Sequence, residues 1–140
     1  MDEACAGGAP KTVFGAHTLR GRGTCKPMVL VAASRDGQAW AKVVPNGHGV
    51  TLSATLADCV VPAKTTLMTD GKSAYIRIGQ MMAGHQSVTH SVRQYADPET
   101  GAHVNTAEAV ISQVQRALVG VYHNLDRKHL QRYLDKILWR

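Results

Sequence analysis

An Asp-Gly pair set between two apolar runs constrains this chain more than any other feature. Residues 28–34 form one continuous apolar run, residues 38–44 alternate with Ala39, Ala41 and Val43 on one side, and Arg35-Asp36-Gly37 lies between them. Glycine tolerates the positive φ that a tight turn demands, so the two runs are expected to fold back as an antiparallel hairpin. Pro45-Asn46-Gly47 ends the second strand, and Leu52, Leu56 and Cys59 then recur at helical spacing through an amphipathic segment at 51–59. Residues 65–69 read as a short strand that stops at Asp70-Gly71, and Ser73 to Met82 as a helix with Tyr75, Ile76, Gly79 and Met82 along one side. A strand, a helix and a further strand in that order put Asp70 at a strand's carboxyl end, where open α/β sheets bind ligands.

Beyond this point Gln86 to Thr89 predicts a short edge strand, and residues 95–102, with Asp97-Pro98-Glu99 and Gly101, a loop. Two helices follow. Ala107, Val110, Ile111, Val114, Leu118 and Val121 form the apolar stripe of the first, with Asn105 or Thr106 as its N-cap and Glu108 in its opening turn. Leu130, Leu134, Ile137 and Leu138 form that of the second, with Asp126 as N-cap and Arg127, Lys128, Gln131, Arg132 and Lys136 on the exposed side. A strand stub at 2–6 beside the hairpin, with 65–69 parallel to it, completes the expected architecture: one α/β domain whose five-stranded mixed sheet is flanked by helices. The Gly- and Lys/Arg-rich stretch 7–26 reads as a long loop, either a solvated connector or a phosphate-contacting arm.

Charge narrows the class of partner. Sixteen Lys and Arg against 10 Asp and Glu give a formal charge of +6, which favours polyanions such as nucleic acid. Cys5, Cys25 and Cys59 are odd in number and contain no Cys-x-x-Cys pair, so they spell neither a disulfide framework nor a zinc site. No leader and no membrane-length apolar run is expected, which points to a soluble protein of the cytoplasm.

Three carboxylates far apart in sequence carry the chemistry: Asp2, Asp70 and Glu108. They cooperate only if folding gathers them. Clustered carboxylates repel when ionised, so such a set normally requires divalent cations, and hard oxygen ligands suit Mg²⁺ or Mn²⁺. Two ions about 3.5–4 Å apart activate an attacking oxygen and stabilise the leaving one in a displacement at phosphorus. Each residue also has a plainer reading: Asp70 in a turn, Glu108 as a carboxylate favoured by the helix dipole, Asp2 as a chain end. Lys72, Arg116, Lys128 and Arg132 are candidate phosphate contacts, or ordinary solvated helix faces. His103 and His123 read as hydrogen-bonding residues.

The residues resemble the catalytic domain of DDE-type bacterial insertion-sequence transposases, in the ISXO-like branch usually built with an upstream zinc ribbon. The likeness runs from Asp2 to Arg140 through Asp2-Glu3-Ala4 with Gly7-Gly8, Gly21-Arg22-Gly23-Thr24 with Lys26-Pro27, Lys42-Val43-Val44-Pro45, Thr69-Asp70 with Ala74-Tyr75, His103 with Asn105-Thr106 and Glu108, Val119-Gly120 with Tyr122-His123, and Lys128-His129-Leu130 with Arg132-Tyr133-Leu134. It implies an RNase H-like fold with Asp2, Asp70 and Glu108 as a triad holding two Mg²⁺ or Mn²⁺ ions. It also implies DNA cleavage and strand transfer, with transposon ends and target DNA as partners at the bacterial nucleoid. A homo-oligomer or a complex with full-length transposase is a family expectation.

Departures from the pattern qualify the activity expected. The basic residue seven positions after the glutamate is Gln115, with Arg116 beside it, and the aromatic three positions after it is Ile111. Some relatives use Asn as third ligand, which leaves Asn105 as a substitute for Glu108. The family's first strand begins several residues before Asp2, so the first strand is expected to be truncated and the zinc ribbon absent. Weak or absent activity is the expectation for the isolated chain, with a non-catalytic, DNA-binding or transposase-inhibiting remnant as the alternative.

Overall fold

A computed structural model describes residues 1–6, 26–88, 96–122 and 125–139. Strands β1 (Asp2–Cys5), β2 (Met28–Ala33) and β3 (Ala39–Val44) form an antiparallel sheet in sequence order. The hairpin between β2 and β3 forms as expected, with a three-residue loop: Ser34 and Gln38 close it at 2.8 Å, and Gly37 takes φ +97°. Helix α1 (Gly49–Ala57) and a 3₁₀ turn at Pro62–Lys64 lead to β4 (Thr66–Asp70). Helix α2 (Ser73–Gly79) then crosses to β5 (Gly84–Val88), which pairs parallel to β4 with Asp70 opposite Val88. Helices α3 (Asn105–Gly120) and α4 (Leu130–Leu138) close the chain. The 7–26 loop falls almost wholly outside the described residues, as does His123.

Both faces of the three-stranded sheet are covered, which explains why β2 is apolar at every position. Leu30 and Val44 pack with Leu52, Leu56, Leu67, Tyr75 and Ile78 on the side of α1 and α2. Val29, Val31 and Ala41 pack with Val114, Leu118, Leu130 and Leu134 on the side of α3 and α4. The second helical stripe is correct in α4, but Val121 at the end of the α3 stripe is 67% exposed and takes no part in the core. Neither Asn105 nor Thr106 caps α3: Val104 precedes its first turn, and no side chain bonds there. Asp126 does cap, but it caps the 3₁₀ turn at Arg127–His129 that leads into α4, by accepting from the Lys128 amide.

Gln131 departs from its expected place on the solvent side. Its amide accepts from the Val43 N–H and donates to the Ala41 carbonyl, each at 2.9 Å, so it occupies hydrogen-bonding groups on the outer edge of β3. A covered edge has fewer free groups to template the addition of another strand.

The single five-stranded sheet expected from the sequence is two sheets, of three and two strands. The Met1 nitrogen, 2.7 Å from the Met68 carbonyl, bridges the line where β1 and β4 would pair. Where Ala32 and Ala33 of β2 run on past that point, a cavity of about 600 Å³ separates them from Thr66 and Leu67 of β4. A continuous ladder needs backbone on both sides of every interstrand spacing of about 4.8 Å, and no such pairing joins the two sheets among the described residues.

Candidate functional site

Strand alternation decides which way each carboxylate faces. Asp2 lies directly opposite Val31, and Val31 packs with α3, so Asp2 shares the α3 side of the sheet. Leu67 packs on the α1 and α2 side, and Thr69, two residues on, is fully buried with its hydroxyl 2.9 Å from His85 Nε2. Asp70 therefore faces away from the side that Leu67 and Thr69 occupy, at the last position of β4. Glu108 stands in the first turn of α3, where its N–H bonds the Val104 carbonyl at 3.1 Å. The three carboxylates thus come from three elements, and the charges of Asp70 and Glu108 both act on Asp2.

Their electrostatics follow from this arrangement. Burial raises the Asp2 carboxyl above the usual aspartate range, the Glu3 N–H at 2.8 Å opposes that shift, and the negative charges of Asp70 and then Glu108 add to it. One oxygen of Asp70, Oδ1, is buried with no hydrogen-bond partner. An orphaned carboxylate oxygen is costly and calls for a ligand. Hard carboxylate oxygens of this kind fit Mg²⁺ or Mn²⁺ by donor type. Among the described residues, however, no group of three or more His, Cys, Asp or Glu side chains is close enough to form a ready-made metal cage. Asn105, one turn before Glu108, is exposed, and His103 is half-buried with an unpartnered Nδ1.

The other face of β1 carries a group that motif reading passes over. Glu3 lies opposite Leu30 and is turned into the core of α1 and α2, with its side chain only 3% exposed. There it pairs with the Lys72 ammonium and accepts a hydrogen bond from the Tyr75 hydroxyl. Tyr75 is fully buried, and Lys72 Nζ sits 5.5 Å from the centre of its ring. Alternation contains the signal: if Asp2 faces a solvent-accessible site, Glu3 must face the core, and a buried charge persists only with a partner.

The candidate phosphate contacts divide accordingly. Arg116 on α3 and Arg132 on α4 are exposed, and Lys128 is exposed and ion-paired to Asp126 at 3.2 Å. Lys72 is held inward, its ammonium buried and its side chain 13% exposed.

No curated protein and no solved structure gives a significant match to the chain. One family, described as the ISXO2-like transposase domain, matches residues 1–140. The match spans all 140 residues, and the chain belongs to the ISXO2-like transposase domain family, a DDE-type group of insertion-sequence transposases.

Proposed function

We propose that this domain carries out metal-dependent cleavage and strand transfer of DNA, with Asp2, Asp70 and Glu108 as ligands for two divalent ions, Mg²⁺ or Mn²⁺. The observation that carries the reading is the buried, unpartnered Oδ1 of Asp70, whose charge, with that of Glu108, acts on Asp2. Asp2 and Asp70 would share the ions and Glu108 would hold the second, with Asn105 as its substitute if Glu108 fails. The bound ions supply charge neutralisation at phosphorus and an activated oxygen nucleophile. Asp2 and Asp70 fix that charge against the two sheets, and Glu108 closes the set from the first turn of α3. Arg116, Lys128 and Arg132 bind the DNA backbone, and Lys72 reaches phosphate only by leaving Glu3. The strand arrangement supports an RNase H-like fold: an antiparallel trio, a crossover through α1, and β4 brought beside β1 by the Met1–Met68 bond. Transposon ends and target DNA are the substrates, met at the nucleoid in the bacterial cytoplasm. Among the described residues no helix is long and apolar enough to cross a membrane.

Supercoiled plasmid incubated with the protein and Mn²⁺ tests the reading. Nicking is expected, with loss in Asp70→Ala. Nicking that survives the substitution refutes the assignment.

A second reading draws on a separate observation, the break between β1 and β4. Misplacing a catalytic group by about an ångström costs on the order of 10²-fold in rate. On this reading the chain is a DNA-binding remnant that joins full-length transposase and inhibits its assembly. Plasmid left intact, together with DNA retention that falls steeply with salt, supports the remnant over the enzyme.

A further inference from the structure

The two sheets meet at the carboxylates without a strand ladder to set their separation. In a continuous sheet, backbone bonds would hold Asp2 on β1 and Asp70 on β4 at a fixed spacing. Here the bridging backbone contact is Met1 to Met68, on the far side of Asp2 from the rest of β1. One residue along from Asp2, Glu3 reaches through the core to Lys72, two residues along from Asp70, and to Tyr75 in the first turn of α2. The enclosure around Lys72 is close: a β-carbon placed on Gly47 would lie 3.8 Å from its Nζ and 3.1 Å from the Met28 sulfur. Surface ion pairs contribute little, but one whose partners are 3% and 13% exposed, with a buried phenol bonded to the same carboxylate, has few alternative geometries. The Asp2 charge also acts on the Lys72 ammonium, opposing the effect of burial on it.

We propose that Glu3, Lys72 and Tyr75 form a buried clamp that sets the spacing of Asp2 and Asp70, and with it the affinity of the carboxylate site for a divalent ion. All three are positioning residues, since they bond to one another on the α1 and α2 side of β1, the face opposite to Asp2. The clamp rests on the metal-site reading above and extends it to residues that touch no ion. It acts across the gap that the strand ladder leaves, so removing one hydrogen bond should loosen the site without unfolding the domain.

Mn²⁺ titration of the full chain, followed by calorimetry and by the free-ion electron paramagnetic resonance signal, measures this directly. Tyr75→Phe keeps the ring in the core and removes only the bond to Glu3; its Mn²⁺ dissociation constant is expected to rise at least tenfold with far-UV circular dichroism unchanged. The neutral pair Glu3→Gln with Lys72→Met should weaken binding as much, which separates positioning from simple competition of the Lys72 charge for Asp2. Lys72→Arg, which preserves the ion pair, should stay within threefold of the parent. Parent-like affinity in both Tyr75→Phe and the neutral pair overturns the clamp and leaves the metal site standing. A parent chain that binds no Mn²⁺ overturns both.

Discussion

Replacing Asp70 with asparagine should reverse the order of stability between two solutions that differ only in metal. In chelator the parent carries a carboxyl side chain whose Oδ1 is buried without a partner and whose charge acts on Asp2. A buried unsatisfied group costs about 1–3 kcal/mol and more when charged, so neutralising it should recover on the order of 1 kcal/mol. For a domain of this size that is a rise in Tm of roughly 3–4 °C. In Mn²⁺ at about 100 times its dissociation constant, the parent gains about 2.7 kcal/mol from binding to the folded state alone. The variant, having lost a ligand, gains little, so the parent becomes the more stable by about 1.7 kcal/mol, the difference between the two effects. Thermal unfolding by circular dichroism, with chelator and with Mn²⁺, reads both halves of the crossover. An asparagine variant that is less stable in chelator and still shifts with Mn²⁺ as the parent does would falsify the reasoning, because Asp70 would then be a structural residue.

Three further outcomes follow from other parts of the molecule. The Asp2 carboxyl is raised by burial in the folded state, so its contribution to stability is complete below the unfolded value and is lost as pH rises through the folded one. Urea midpoints of the metal-free protein should therefore show an Asp2 component that declines from about pH 4 upward, and Asp2→Asn should flatten it; a profile unchanged by the substitution refutes the assignment. Gln131→Ala removes two bonds to the edge of β3 and should cost about 1–3 kcal/mol at constant urea slope, and a loss below about 0.5 kcal/mol would show that the contact is incidental. Arg116→Ala and Arg132→Ala should each lower the slope of log affinity for duplex DNA against log salt by about 1, and slopes equal to the parent's would remove them from the interface.

Much of the local structure was legible because it depends on neighbours in sequence. The Asp36-Gly37 turn, the apolar runs either side of it and the stripe of α4 specify their elements through φ preferences and periodicity. Where the reading missed, long-range contacts had intervened. Gln131 looks like a solvent-side residue by helical position, yet an edge carbonyl and N–H from residues some ninety positions earlier claim it. Val121 fits the stripe of α3 but lies just past the helix end at Gly120, where it is exposed.

The carboxylate site divides in the same way. Residue types and their order carry the family likeness and nominate Asp2, Asp70 and Glu108 as candidates, because motif chemistry is written in one dimension. Whether β1 and β4 share a ladder was decided in three dimensions, by how the two sheets pack against their helices. The role of Glu3 belongs to the same level. Its neighbour in sequence is the candidate ligand, but a strand sends adjacent side chains to opposite faces, and only the packed core reveals that Lys72 and Tyr75 wait on the other side.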